Sequence, residues 1–335
     1  TADRPMVSSG AYRLSEWKLN DHARLVRNPE WHDESAPTAT IIWKPMDDSL
    51  SAMRLFLSGG ADIAADYPAS RHQWLKENHP DAAHSVPYLG SYYFAFNTRM
   101  PPFQDPRVRT ALSMAVEREW IADKVIGIGN IPAWGLLPPG LAGPASARPE
   151  WADWPREKRL HKARALLNEA GYGPDNPLQF EIRFNSSAEH RRVAVAMAAM
   201  WKPLAVEASL FNSEAALHFA ALRRHEFALS RSGWIADLPT PENFLLVHQP
   251  ANGAGNYSGY DNSDYDRILA LAIAEPDPSQ RQALMREAEA LLIQDMPILP
   301  LYFYVTRSLV AKRIAGWEDN ISNVHPSRTL RIKPQ

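Results

Sequence analysis

The chain contains no cysteine, which excludes disulfides, thiolate catalysis and cysteine-ligated metal. It also lacks any apolar run near the roughly 20 residues needed to span a bilayer. Its start, TADRPMVSSG, has neither a basic n-region nor an apolar h-region, so a soluble chain without a signal peptide in this stretch is expected. Charge of one sign is lacking too. With 36 basic against 38 acidic side chains and a pI near 6.6, no global field draws nucleic acid or anionic membrane, so any ligand must be recognised locally. No internal repeat at a fixed period and no low-complexity tract interrupts the chain.

What is present is ordinary in bulk: 335 residues, 45% apolar and 22% charged, enough for two lobes with a core each. Proline (28) and tryptophan (11) are plentiful, which favours rigid connections and amphipathic aromatic contact surface. The patterning alternates. AYRLSEW, ARLVRN and ATIIWKPM read as strands, and DDSLSAMRLFLSGGADIAA as a glycine-capped helix leading into a short strand. YLGSYYFAFN is an aromatic strand, and after two prolines a long amphipathic helix is expected to run as far as ADKVI. An irregular excursion follows over residues 129–155. Helix and strand then alternate through REKRLHKARALLNEAGY, LQFEIRF, HRRVAVAMAAMWKPL, AVEASLF, AALHFAALRRH and EFALSRSGW. Two helices, DYDRILALAIAE and SQRQALMREAEALLIQDM, precede a last strand, PILPLYFYVTRSLV. The alternation predicts α/β layers with largely parallel sheets.

Signatures of chemistry are weak. SEWK at Ser15 matches an SxxK spacing but lies in a strand; GIGN at Gly127 has no third glycine at the dinucleotide spacing. No HExxH or paired-histidine metal pattern occurs, and GxSxG is missing. Ser186 and His190 are close in NSSAEH, where the plain reading is a helix cap by Ser186 or Ser187. A peptidase using that pair is the enzymatic alternative.

The densest chemistry is RSGWIADLPTPENFL, which sets Arg231, Trp234 and Asp237 within seven residues between a strand and a proline-rich turn. Together with FNTRMPPFQDPRVRTALSMAVERE, LLNEAGY, FNSSAEHRRVAVAMAAMW and ILPLYFYVTRSLV, in this order over nearly the whole chain, it resembles the extracellular solute-binding proteins of family 5, the oligopeptide and dipeptide receptors of ABC importers. The resemblance implies a two-lobed, periplasmic-binding-protein-like (type II) α/β fold. Lobe one would take residues 1–89 and 306–335, and lobe two residues 90–305. It implies a peptide ligand held extended between the lobes, delivery to the importer's membrane subunits, a periplasmic or extracellular location, and neither cofactor, metal nor chemistry on the ligand.

By the same analogy Asp237 receives the peptide's α-ammonium. Gly233, Trp234 and Ile235 offer backbone groups, with the Trp234 ring walling a pocket, and Arg231 holds charge balance. His190, with Asn185 just before it, helps hold the carboxylate, and Tyr93 and Tyr304 line the cleft. The plain alternative is that Arg231 and Asp237 pair with each other, and that the tyrosines are core. Three positions depart from the family: Met100 where a lysine can stand, Ala215 for a tryptophan and Leu222 for an arginine, which leaves ligand class open. The family also carries a long further stretch before the position matching SSGAYRL. A fragment completed by an N-terminal companion segment, a shortened member, or a remnant with a structural or regulatory role are the resulting expectations.

Overall fold

The computed structural model describes residues 6–33, 37–141 and 146–333, and expectations touching the remaining positions lie outside that range. The chain divides into two compact units, Thr1–Val86 with Thr306–Gln335, and Pro87–Val305.

In the first unit β1 (Tyr12–Lys18), β2 (His22–Arg27) and β3 (Thr40–Trp43) form an antiparallel sheet in that order. Helix α1 (Ser49–Leu57) begins where the Asp48 carboxylate accepts the amides of Leu50 and Ser51, and it ends before Gly59, whose φ of 77° suits the left-handed turn there. After β4 (Ile63–Ala64) and α2 (His72–Asn78), β5 (Ala83–Phe96) starts in this unit. Met53, Tyr67, Leu75 and Leu309 centre its small core.

The second unit opens on the rest of β5. Helix α3 (Pro106–Met114) has Asp105 as its cap and Pro106 at the first position, where the missing N–H costs nothing. The single long helix expected here does not form. After α3 comes one turn, α4 (Arg118–Trp120), continuing as a π-helical turn to Ile126. The cause is a pair of buried arginines. Arg118 donates to the carbonyls of Ser113, Ala133 and Pro300 beneath the Trp134 ring, and Arg159 donates to those of Met114 and Val116, so side chains take carbonyls that helical amides would have used.

Beyond β6 (Ile131–Pro132) the chain alternates through α5 (Arg156–Glu169), β7 (Leu178–Asn185), α6 (Ala188–Trp201), β8 (Val206–Ser213), α7 (Ala215–Arg223) and β9 (Leu229–Ile235). A short turn α8 (Glu242–Leu245), α9 (Ser263–Ala274), α10 (Pro278–Asp295) and β10 (Ile298–Val310) follow. Within this unit the strand order is β10-β5-β9-β7-β8, with β6 beside β10.

The sheet is mixed, which corrects the largely parallel expectation. β7 runs parallel to β8 and β9, but β5 and β9 are antiparallel. Local alternation fixes direction only between strands joined by one crossover helix, and β5 and β9 are remote in sequence. Trp201, Phe94, Phe96, Phe103, Phe244 and Tyr265 are buried in this unit's core. The Trp201 indole donates to the Leu112 carbonyl at 2.9 Å, which satisfies its one polar atom.

Back in the first unit, Leu309 and Val310 pair with Ala64 and Ile63, and β11 (Ile314–Ala315) pairs with β12 (Arg331–Ile332). No helix among the described residues is long and apolar enough to cross a membrane.

Candidate functional site

The site is built on β9. Its register with β5 pairs Phe94 with Arg231, Tyr92 with Gly233 and Gly90 with Ile235, so these six residues share one face of the sheet. Ser232 and Trp234, opposite Tyr93 and Ser91, share the other.

On the first face Arg231 is half-buried among aromatic rings. Its Nη2 donates to the Tyr304 hydroxyl at 2.9 Å and its Nη1 to Asn185 Oδ1 at 3.3 Å, while its guanidinium carbon stands 5.0 Å from the centre of the Tyr92 ring. Burial works against this charge, but the surrounding Tyr304, Tyr92 and Tyr302 outweigh it and hold the group above its ordinary pKa. Among the described residues no carboxylate lies within ion-pair distance, so the cation is uncompensated. The expected alternative, a pair between Arg231 and Asp237, is not formed.

Tyr92 stacks on Tyr302 at 4.5 Å and meets Tyr304 edge-on, and its hydroxyl shares a hydrogen bond with His190 Nδ1 at 3.2 Å. His190 sits in the first turn of α6, placed by Ser187, whose side chain accepts the amides of Glu189 and His190. Burial first, and then the charges of Arg231 and His218, push its pKa down to about 3. The imidazole is therefore neutral at pH 7, with Nε2 free of any partner among the described residues. His218, on α7, binds the Arg231 carbonyl through Nε2 at 3.0 Å. Burial, with Arg231 and Arg183, lowers it to about 4 against the effect of that bond.

Two glycines make room for the Tyr304 ring. A Cβ on Gly90 would come within 2.7 Å of Tyr304 Cδ2, and one on Gly233 within 3.1 Å of its hydroxyl and 3.0 Å of the Ser91 carbonyl.

The strand also has an open edge. Pairing of β9 with β7 stops at Arg183↔Ser230, whereas pairing with β5 continues to Ile235. The Ala236 amide still points at β5, where it meets the Leu89 carbonyl, so by alternation the peptide groups of Gly233 and Ile235 face away from β5. They have no partner among the described residues.

At the end of the strand, Asn243 Oδ1 accepts both the Trp234 indole N–H and the Asp237 amide, each at 3.2 Å. The Asp237 carboxylate is exposed and unpaired among the described residues.

The structure thus brings Arg231, Asn185, His190, Tyr304 and Gly233 into one cluster and joins Trp234 to Asp237 through Asn243. Ile235 lies on the cluster's face with half its surface exposed. Tyr93 stands apart on the opposite face, buried against His248 at 5.8 Å, and the neighbouring Tyr92 occupies the place by Arg231. The aromatic run marks this strand, but only the register decides which of two adjacent tyrosines faces the arginine. Gly90, Tyr92, His218 and Asn243 were missed; for Asn243 the one available signal is its position just past the proline turn.

Other candidates disperse. Ser186 Oγ donates to the Ser213 carbonyl and accepts from Asn212, so no Ser186–His190 bond exists. Ser15 donates to the Arg24 carbonyl and Lys18 pairs with Asp21; Gly127 ends a helical turn at φ 69°. Among the described residues no cluster of histidine and carboxylate suited to a metal occurs. Leu222 is core, while Met100 and Ala215 are exposed.

Comparison with known proteins agrees with the layout. The family model for bacterial extracellular solute-binding proteins, family 5 Middle, matches residues 1–256. The periplasmic oligopeptide-binding protein OppA of Escherichia coli (strain K12) is 34% identical over 333 residues, 98% of this chain and 61% of the relative. The periplasmic murein peptide-binding protein MppA of the same organism is 33% identical over 330 residues, again with 61% of its length covered. The E. coli MppA structure superposes with a TM-score of 0.84 at 32% identity, over 97% of this chain and 64% of that one. Haemophilus influenzae OppA in complex with RPPGFSPFR gives 0.82 at 28% identity, over 97% and 65%. The chain spans about three fifths of the length of the curated relatives it matches. Its mixed α/β fold is that of the periplasmic binding proteins, and the chain belongs to the bacterial extracellular solute-binding proteins, family 5.

Proposed function

We propose that the protein is a periplasmic receptor that captures short peptides and hands them to an ABC importer without altering them. The observation that carries this reading is the open edge of β9, flanked by a free carboxylate at Asp237 and an uncompensated cation at Arg231. An extended peptide adds to such an edge through the peptide groups of Gly233 and Ile235, which favours any sequence equally. Its α-ammonium goes to Asp237, and its carboxylate to Arg231 and the Nε2 of neutral His190, both charge-assisted contacts at the Arg231 end of the strand. Running N-terminus to Asp237 and C-terminus toward Arg231, the ligand is antiparallel to β9. The six residue steps from Arg231 to Asp237 span at most ~20 Å, room for a ligand of a few residues.

The relatives named as oligopeptide- and murein peptide-binding proteins support the substrate class and the periplasmic location. The chain matches 61% of the length of those relatives.

The test is incubation of the protein with a mixture of short peptides, followed by gel filtration and intact-mass analysis of what co-elutes. Intact peptides of a few residues are expected. Cleaved products, or no retained peptide, would overturn the reading.

A further inference from the structure

The ladder between β7 and β9 ends early. It pairs Ile182 with Leu229 and Arg183 with Ser230, and the next pair, Phe184 with Arg231, does not form although β7 continues to Asn185 beside β8. The Ser186 amide bonds to the Ser213 carbonyl of β8, so by alternation the peptide group of Asn185 faces β9. In a continued parallel ladder the Asn185 amide would meet the Arg231 carbonyl, and the Asn185 carbonyl would then meet the Gly233 amide. Instead the Arg231 carbonyl accepts from His218 Nε2 at 3.0 Å.

Histidine is a costly residue at that place. His218 lies one turn into α7 and is fully buried. Its Nε2 carries the proton, because a carbonyl can only accept. Burial keeps the ring neutral at pH 7, with a pKa of about 4, and Nδ1 is left a buried acceptor with no partner among the described residues. An apolar side chain would fill the same space without that penalty, so the bond to Arg231 is what sets histidine apart there.

We propose that His218 is a positioning residue for the ligand: by occupying the Arg231 carbonyl it stops β7 from closing onto β9, and so keeps the peptide groups of Gly233 and Ile235 open to an added strand. This rests on the reading that a peptide adds to that edge. The competitor is close at hand, since Asn185 already touches Arg231 through Oδ1 and Nη1 at 3.3 Å. One further rung would take the Gly233 amide, half of the ligand's place on the edge. The same bond sets the inner end of that place. With two residues of β9 left to pair, alternate ligand residues face them, and a tripeptide uses both through its first and third residues.

The experiment compares wild type, His218→Leu and His218→Gln by residue-resolved amide hydrogen exchange without ligand, and by titration calorimetry with trialanine. In His218→Leu, which fills the space but cannot donate, the amides of Asn185 and Gly233 should exchange about tenfold or more slower than in wild type, and trialanine should bind about fivefold or more weakly. His218→Gln keeps a donor, and both readouts should return to wild-type values. Loss of a merely structural residue would speed exchange rather than slow it. A check that needs no substitution is nitrogen-15 NMR of the wild type at pH 7, which should show His218 as the neutral Nε2–H tautomer. The Nδ1–H tautomer would overturn the inference, as would faster or unchanged exchange at Asn185 and Gly233 in His218→Leu. Wild-type affinity retained by His218→Leu would overturn it as well while leaving the receptor reading intact, whereas a wild type that binds no trialanine removes both.

Discussion

At the residue scale, several buried side chains are held in an unusual electrical state. His190, His218 and His248 are all kept neutral by burial, at about 3, about 4 and about 3. Their folded pKa values lie below the ordinary histidine value, so the unfolded chain binds more protons in between. Stability is therefore complete above about pH 6.5 and lost as pH falls toward the folded values. Melting temperature should drop steeply from pH 6.5 to 4, and His248→Phe, which removes a buried imidazole with an unpartnered Nε2, should flatten the slope by roughly one such group. Thermal melts of the two proteins across that range check this, and identical slopes would contradict it. Asn243 carries a second expectation. Asn243→Ala frees the Trp234 indole and the Asp237 amide together, so hydrogen exchange at the Asp237 amide should accelerate while global stability falls by only about 1 kcal/mol. Unaltered exchange there would mean that Asn243 does not order the loop. The candidate stretch stands out in the sequence because arginine, tryptophan and aspartate are costly to cluster without use, whereas Asn243 acts through one oxygen that no pattern in the sequence announces.

At the scale of elements, helices and strands follow from capping and periodicity almost everywhere. Asp48, Asp105, Ser187, Asn262 and Asp277 each accept amides at the start of the helix that the sequence suggests. Part of what stayed illegible comes from long-range hydrogen bonds made by buried charges. The long helix beyond Pro106 is cut by Arg118 and Arg159, and within the irregular stretch after it Leu136, Leu137, Ser146 and Ala147 are tied down by Glu289 of α10, a contact the sequence does not announce. That buried carboxylate accepts the amides of Leu136, Leu137 and Ala147 and the hydroxyl of Ser146. Burial raises its pKa against the pull of those donors. Glu289→Gln keeps part of the acceptor set, but Glu289→Leu strands the two buried amides of Leu136 and Leu137 and the part-buried one of Ala147 and should cost about 3 kcal/mol or more. Urea titration of both variants tests this, and equal stability of the Leu and Gln proteins would show that the donors find other partners. Strand direction was illegible for a different reason: the antiparallel contact of β5 with β9 joins segments more than a hundred residues apart, and nothing local encodes it.

At the scale of the whole molecule, each unit has its own core, but they differ in completeness. The second unit buries Trp201, Phe94, Phe96, Phe103, Phe244 and Tyr265 and carries the candidate site, whereas the first leaves Trp17, Ile42 and Trp43 of its three-stranded sheet largely in water. A peptide site on a well-packed unit should act independently of that sheet, with Asp237 and Arg231 holding the two ends of an extended peptide. The most direct measurement is titration calorimetry of one free tripeptide and of its N-acetylated twin on the wild-type chain and on Asp237→Asn. Acetylation should weaken binding to the wild type by about tenfold or more, because it deletes a charge-assisted contact, and Asp237→Asn should bind both peptides with the same reduced affinity. Equal binding of the two peptides by the wild type, or a difference that persists undiminished in Asp237→Asn, would contradict this.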